Sequence, residues 1–323
     1  MRYDVIVVGM GIHGLMATYQ LARRGLRVLG VDRDMVPHRR GSSHGQTRVH
    51  RRAYFEAPFY VPLLKRADEL WEQLSNEIGA ARLGITQLHP DSPLSFPSFL
   101  NRTGVLVIGR DDGRLASGAL ASAREHRIHV KVMDAAEAMQ LWPGLSIPAD
   151  HVAILEPLGG VLQVESVLQQ LWEESLELGA LCIGHCSLLG WQPDSDGVKV
   201  RLEGFEESFE AERLILSCGA WLGDAARLNL PLDIERQYQV LFSTRDGSAY
   251  RAGDFPAIAV DRGHDPMLYG IPDFGNGIKL AFHHGGRSGD PQSFEDPAGV
   301  EIARLHQAAS QWLTGIGSEV MNS

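Results

Sequence analysis

Cysteine is scarce in this chain: Cys182, Cys186 and Cys218 are the three among 323 residues. An odd, sparse set excludes the disulfide framework of a small secreted domain. Cys182 and Cys186 lack the further partners that a zinc site needs, so no metal is expected and the thiols are read as buried and inert. Long apolar runs are also missing. The longest early one, "VIVVGMGI", falls far short of the ~20 residues that span a bilayer. It follows Asp4 with no basic leader, which argues against a secretory signal. Positive charge is in deficit, with 30 Lys and Arg against 40 Asp and Glu and a formal net charge of -10. That balance argues against the broad basic face of a nucleic-acid binder. A cytoplasmic protein with no nucleic-acid or membrane partner is the expectation, with a peroxisomal location as the alternative for a eukaryotic source, although the chain ends Met-Asn-Ser without a peroxisomal tripeptide.

What is present begins at the amino terminus. The stretch "YDVIVVGMGIHGLMATYQLARRGLRVLGVDRD" (3–34) reads as strand, turn, helix and strand. The run from Val5 to Val8 is β-branched without interruption, as in a parallel strand buried on both faces. A G-x-G-x-x-G triplet follows at Gly9, Gly11 and Gly14, and each glycine has a mechanical task. Gly9 makes the tight turn, Gly11 lets a pyrophosphate approach the backbone, and Gly14 lets the helix pack on the strand. Ile12 and His13 open the helix, whose free N–H groups and partial positive charge favour a phosphate there. Leu15, Tyr19, Leu21 and Ala22 supply its apolar side, and Gly25 closes it. The second strand ends in Asp32, placed to accept hydrogen bonds from an adenosine ribose. Together these features predict a dinucleotide site; the fingerprint alone admits NAD as well as FAD.

The next loop, "GSSHGQTRVHRRAYFE" (41–56), gathers positive charge in an acidic protein. Arg39, Arg40 and Arg52 are read as solvated surface. Arg48 lies three residues before Arg51 and four after His44, so in a turn-like segment these side chains share a face. The loop leaves the carboxyl end of a strand, where open α/β sheets bind ligands.

Farther along, 57–78 predicts a helix with Leu63, Ala67, Leu70, Leu74 and Ile78 on its apolar stripe. The Pro- and Ser-rich segment 84–99 reads as a loop. "TGVLVIG" (103–109) reads as a strand and "LASGALASAREH" (115–126) as a helix. Asp134 and Glu137 mark a D-x-x-E helix start. Residues 164–179 form another amphipathic helix ending at Gly179, and 212–221 a buried strand running into a glycine turn. After Leu230 the pattern turns into short strands separated by turn residues, which predicts an antiparallel sheet. Lys279 stands on one of them between Ile278 and Leu280, either reaching outward or held inward for a purpose. The fold class expected is α/β: a Rossmann-like domain from 1–83 and 151–230, interleaved with an α+β substrate domain from 84–150 and 231–323.

Several segments in one order, "PHRRGSSHGQTRVHRRAY", "TGVLVIG", "WPGLSIP", "EPLGGVL", "LILSCGAW" and "YGIPDFGNGIKLAFHH", resemble the monomeric sarcosine oxidase family of flavoproteins. The resemblance implies an FAD-dependent oxidase of secondary amino acids such as sarcosine, N-methyl amino acids or pipecolate. Such an enzyme oxidises the C–N bond to an imine and reduces dioxygen to hydrogen peroxide. It implies Ser43, His44 and Arg48 at the cofactor, with Leu188 near the adenine and the Gly219–Trp221 turn beside it. Arg51 would grip the substrate carboxylate, a task that suits a guanidinium fork. Tyr269 would border the substrate, Lys279 would activate oxygen, and His283 would complete the catalytic set with His44 and Arg48. In the family several dozen residues follow the point where this chain ends, among them a flavin-linking cysteine. None of the three cysteines here falls at that position, so FAD is expected to bind non-covalently, in a monomer with a small amino acid and O2 as partners. Two alternatives stand beside this reading: another amino-acid oxidase or dehydrogenase of the same superfold, and a non-catalytic FAD-binding remnant.

Overall fold

The computed structural model describes residues 2–82, 97–245, 249–293 and 295–322. The chain divides into two compact units, Met1–Gln46 with Val164–Ile234 and Asp290–Phe294, and Thr47–Gln163 with Glu235–Gly289 and Glu295–Ser323.

The first unit is built on a six-stranded sheet in the order Leu188–Asp194, Gly197–Leu202, Phe209–Leu216, Arg2–Val8, Val28–Val31, Leu181–Ile183. Its last four strands run parallel, with Val5 opposite Arg213 on one side and Val28 on the other. The two outer strands add an antiparallel hairpin. Ile6 and Val7 are fully buried, as an unbroken β-branched run demands. The helices Ile12–Ala22 and Val164–Glu177 pack against each other.

The second unit holds an eight-stranded sheet, in the order Ile316–Asn322, Val240–Thr244, Ile278–Phe282, Asp265–Ile271, Ala257–Arg262, Val105–Arg110, His151–Glu156, Lys131–Asp134. The pairings after Leu230 are antiparallel as predicted, while Ala257–Arg262 joins Val105–Arg110 in parallel. A small antiparallel sheet sets Thr47–His50 and Leu100–Asn101 on either side of Gly160–Gln163. The helix Ala135–Leu141 starts where the D-x-x-E pattern puts it, with the Asp134 carboxylate accepting the Glu137 N–H at 2.8 Å.

Two expectations change. The unit boundaries fall at Gln46 and Gln163 rather than near 83 and 150, because Thr47 pairs with Gln163 and His151–Glu156 hydrogen-bonds into the eight-stranded sheet. On the helix Val61–Arg82, Leu63 and Leu70 are 65% and 45% exposed, while Val61, Asp68, Leu74, Ser75 and Ile78 are buried. The helix is turned by the ion pairs that Asp68 makes, described below, so the stripe seen in the sequence is only partly the buried face. The loop expected at 84–99 lies outside the described residues up to residue 96.

Candidate functional site

In the first unit the glycine turn is built as its spacing suggests. Gly9 has φ +89°, and a Cβ on it would stand 2.6 Å from the Ser217 carbonyl oxygen. A Cβ on Gly14 would meet the Gly9 carbonyl oxygen at 1.8 Å, so nothing larger than hydrogen separates helix from turn. Gly11 caps the helix without a side chain of its own, and the Ile12 N–H donates to the Ser43 hydroxyl at 3.1 Å. Asp32 directly follows the second strand, 7% exposed. Its carboxylate accepts the N–H groups of Met10 at 2.7 Å and Asp34 at 3.0 Å, and His38 Nε2 lies at 3.5 Å. Burial pushes the Asp32 carboxyl upward, but the bonds from His38, Asp34 and Met10 outweigh it and hold the group below the ordinary carboxylate range. It is an ionised acceptor at neutral pH. Asp32, Asp34 and His38 also bring their ligand atoms within 4.8 Å of one another.

These groups line a cavity of about 680 Å³, a size that suits a nucleotide. Of the residues predicted at the cofactor, Gly9, Gly11, Ile12, His13, Asp32, Ser43, Leu188, Gly219 and Trp221 are in its wall. Gly14 lies beneath the turn. His44 and Arg48 are outside the wall: the His44 N–H closes a turn onto Gly41, and Arg48 belongs to the strand Thr47–His50 of the second unit. Arg33 is the contributor that sequence reading missed. Its guanidinium sits 3.9 Å from the Trp221 ring centroid and bonds Asp34 at 3.2 Å and Gln292 at 3.1 Å. Among the described residues Arg33 Nη2 and Trp221 Nε1 are buried donors with no hydrogen-bond partner. An acceptor-rich ligand satisfies such donors, so the wall fits a dinucleotide. Cys186 and Cys218 also border the cavity. Burial pushes Cys218 up to about 11, with Asp32 adding to it, and Cys182 likewise to about 11; at neutral pH these are thiols rather than thiolates.

The second unit gathers the other candidates in two groups. Lys279 is 4% exposed on the strand Ile278–Phe282, so it is held inward. Its Nζ donates to the Thr47 carbonyl at 2.7 Å and to Gln239 Oε1 at 3.0 Å. Arg48 Nη1 donates to the same carbonyl at 2.9 Å. Tyr269 packs with Val49 against Val105, Val161, Ala257 and Ile271. Burial raises its hydroxyl pKa, and the Arg48 charge pulls it the other way. In the second group Arg51 Nη2 stands 3.2 Å from the Glu56 carboxylate, with its guanidinium over Phe55 and Tyr54 at 4.8 and 5.1 Å. The strand ends at Phe282, and His283 Nε2 reaches Glu56 Oε1 at 3.3 Å. Burial pushes the Glu56 carboxyl up, but the His283 bond and the Arg51 charge prevail and lower it. Arg51 Nε is buried and without a hydrogen-bond partner among the described residues.

One cation of the basic loop is not where it was expected. Arg52, read as solvated, has a side chain only 17% exposed and lies 3.5 Å from both Asp68 and Glu156. Two buried acids distant in sequence draw it in.

A family profile described as "FAD dependent oxidoreductase" matches residues 4–323. The chain is 32% identical over 327 aligned residues to the monomeric sarcosine oxidase of Bacillus sp. (strain B-0618), covering 99% of this chain and 79% of that one. It is 31% identical to the N-methyl-L-tryptophan oxidase of Citrobacter koseri, covering 89% of this chain and 72% of the relative. Among solved structures, NikD, an amino acid oxidase of nikkomycin biosynthesis, superposes with a TM-score of 0.76 at 21% identity over 99% of this chain and 80% of that one. Glycine oxidase from Geobacillus kaustophilus gives 0.74 at 20% identity, over 97% and 78%. At such identities these two likenesses bear on the fold.

Proposed function

The chain belongs to the FAD dependent oxidoreductase family, and from that premise we propose that it oxidises the C–N bond of a secondary amino acid: sarcosine, another N-methyl amino acid or pipecolate. The first unit is the FAD domain of this reading and the second the substrate domain. FAD when bound supplies the two-electron acceptor, and O2 finally takes the electrons as hydrogen peroxide. The chain's own residues do the rest. The Gly9–Gly14 turn and the first N–H groups of the helix Ile12–Ala22 accommodate the pyrophosphate, and Asp32 accepts from the ribose. His44, Arg48 and Lys279 are the cationic or potentially cationic groups assigned to the cofactor ring and to oxygen, where positive charge favours developing negative charge. Arg51 binds the substrate carboxylate, Tyr269 borders the substrate, and His283 joins them through Glu56. Non-covalent attachment is part of the proposal as far as the cysteines of this sequence go, since burial holds Cys182 and Cys218 as thiols.

The observation that carries this reading is the 32% identity to a monomeric sarcosine oxidase along 99% of the chain. The test is direct. The purified protein is expected to be yellow, to release free flavin on acid precipitation, and to yield peroxide with sarcosine, pipecolate or N-methyltryptophan. Turnover of glycine, proline or D-amino acids alone would move the assignment to another oxidase or dehydrogenase of the same superfold. Bound flavin with no turnover of any amino acid would favour a non-catalytic protein, a reading to which the occupation of Arg51 by Glu56 lends some support.

A further inference from the structure

The residues on either side of Arg51 are tied down by acids from elsewhere in the second unit. Glu156, 3% exposed, is the last residue of the strand His151–Glu156 and lies opposite Val105 in the eight-stranded sheet. Both of its carboxylate oxygens accept the Arg52 N–H at 3.0 Å, and Oε2 accepts the Ala53 N–H at 2.8 Å. Two consecutive backbone N–H groups thus close on one buried anion, an arrangement that fixes the peptide direction as well as its place. The Arg52 guanidinium adds 3.5 Å approaches to Glu156 and to Asp68. Asp68, 8% exposed on the helix Val61–Arg82, also takes His50 at 3.0 Å and Arg102 at 2.6 Å. So His50 and Arg52 reach toward Asp68, whereas Arg51 between them reaches toward Glu56, Tyr54 and Phe55. The strand Thr47–His50 ends here and the chain bends at Arg52 and Ala53, so the opposite aims of these side chains follow from their partners. Holding Arg52 and Ala53 on Glu156, with the Arg52 guanidinium drawn to Asp68, therefore constrains where residue 51 points.

We infer that Glu156 and Asp68 are positioning residues for Arg51: the two buried carboxylates hold the 50–53 backbone so that the Arg51 fork is presented to a carboxylate ligand. The inference rests on the reading of Arg51 as the substrate-carboxylate anchor. A guanidinium on a long side chain binds a carboxylate bidentately only when its backbone is fixed to within a fraction of an ångström, and rigid strands and helices supply that better than loops do. Nothing in the local sequence of the loop could supply it: the anchors lie on a helix and on a strand more than a dozen residues away.

The experiment uses the flavin-loaded protein and calorimetric binding of furan-2-carboxylate, which has a carboxylate but no oxidisable C–N bond, with furfuryl alcohol as the uncharged control. Glu156→Gln keeps the shape and one acceptor but removes the charge. It is expected to weaken furan-2-carboxylate about tenfold, as loss of a charge-assisted bond does, to leave furfuryl alcohol unchanged, and to retain flavin. In an Arg51→Met background the same substitution is expected to change carboxylate binding no further. Asp68→Asn approaches the loop from its other anchor and is expected to act in the same direction, which keeps the test open should Glu156→Gln fail to fold. Weakening of both ligands alike would show general destabilisation and overturn the inference. Full carboxylate affinity in Glu156→Gln or Asp68→Asn, with affinity lost in Arg51→Met, would overturn the positioning role and leave the Arg51 reading standing. Unchanged affinity in Arg51→Met would remove that reading itself.

Discussion

Adding one methyl group at Gly14 is the sharpest test of the nucleotide-site geometry. In Gly14→Ala the new Cβ would stand 1.8 Å from the Gly9 carbonyl oxygen, 2.7 Å from Ser217 Oγ and 2.9 Å from the Gly9 carbonyl carbon. Two of those three atoms are backbone, so the contact cannot be relieved by rotating a side chain. The helix Ile12–Ala22 has to move by more than about an ångström from the turn, a shift that close-packed interiors resist. Overpacking of this kind costs about 3 kcal/mol, at the upper end of its usual range. Alanine regains ~1 kcal/mol as the better helix former. The net loss is ~2 kcal/mol, roughly thirtyfold in the unfolding equilibrium of the first unit. Because the turn carries Gly9 and Gly11, flavin affinity is expected to fall with stability. Urea unfolding followed by flavin fluorescence and far-ultraviolet circular dichroism reads both. Gly299→Ala is the control: a Cβ there meets nothing within 4 Å on the helix Gly299–Ala309, and it is expected to cost no stability and to leave flavin affinity unchanged. If Gly14→Ala matched that control in stability and flavin affinity, the tight contact between helix and turn would be wrong, and the argument for the pyrophosphate site would go with it.

Asp32→Asn keeps the size of the side chain and removes the charge, and is expected to weaken flavin binding about tenfold; a dissociation constant equal to that of the unaltered protein would take Asp32 out of the ribose site. Lys279→Met is expected to slow the oxygen-dependent return of flavin absorbance by about a hundredfold or more while amino-acid-driven bleaching keeps its rate; stopped-flow spectra with and without oxygen separate the two. His50 should leave a mark on stability between neutral and acid pH. Burial lowers its pKa in spite of the nearby Asp68, so the folded protein takes up this proton later than the unfolded chain. This contribution is therefore constant above the unfolded value near 6.5 and is lost as the pH falls from there through the depressed folded value. His50→Gln is expected to flatten that part of a plot of urea midpoint against pH, and a plot of unchanged slope would refute it.

What could be read from the sequence is what short stretches decide for themselves. The Gly9–Gly11–Gly14 spacing, the helix after it and Asp32 at the end of the next strand follow from local sterics and a few hydrogen bonds, and the structure brings most of them to one cavity wall. Asp134 announced its helix in the same way, through a bond that spans three residues. Even Lys279 was marked by its setting, a charge between two apolar neighbours on a strand, although only the fold shows that it turns inward to Thr47 and Gln239.

The helix Val61–Arg82 shows where that kind of reading stops. Its leucines at 63 and 70 fit a helical stripe, yet they face outward and Asp68 is buried, because the His50 ring and the guanidinium groups of Arg52 and Arg102 converge on it from other parts of the chain. Arg52, in a cluster of cations that looked solvated, is interior for the same reason, and the unit boundary at Gln46 depends on a strand pairing with Gln163. Local order is set by backbone sterics and by partners a few residues away, which one sequence displays. The burial of a charge, the rotation of a helix and the aim of Arg51 depend on which distant groups arrive beside them, and only the tertiary structure decides that.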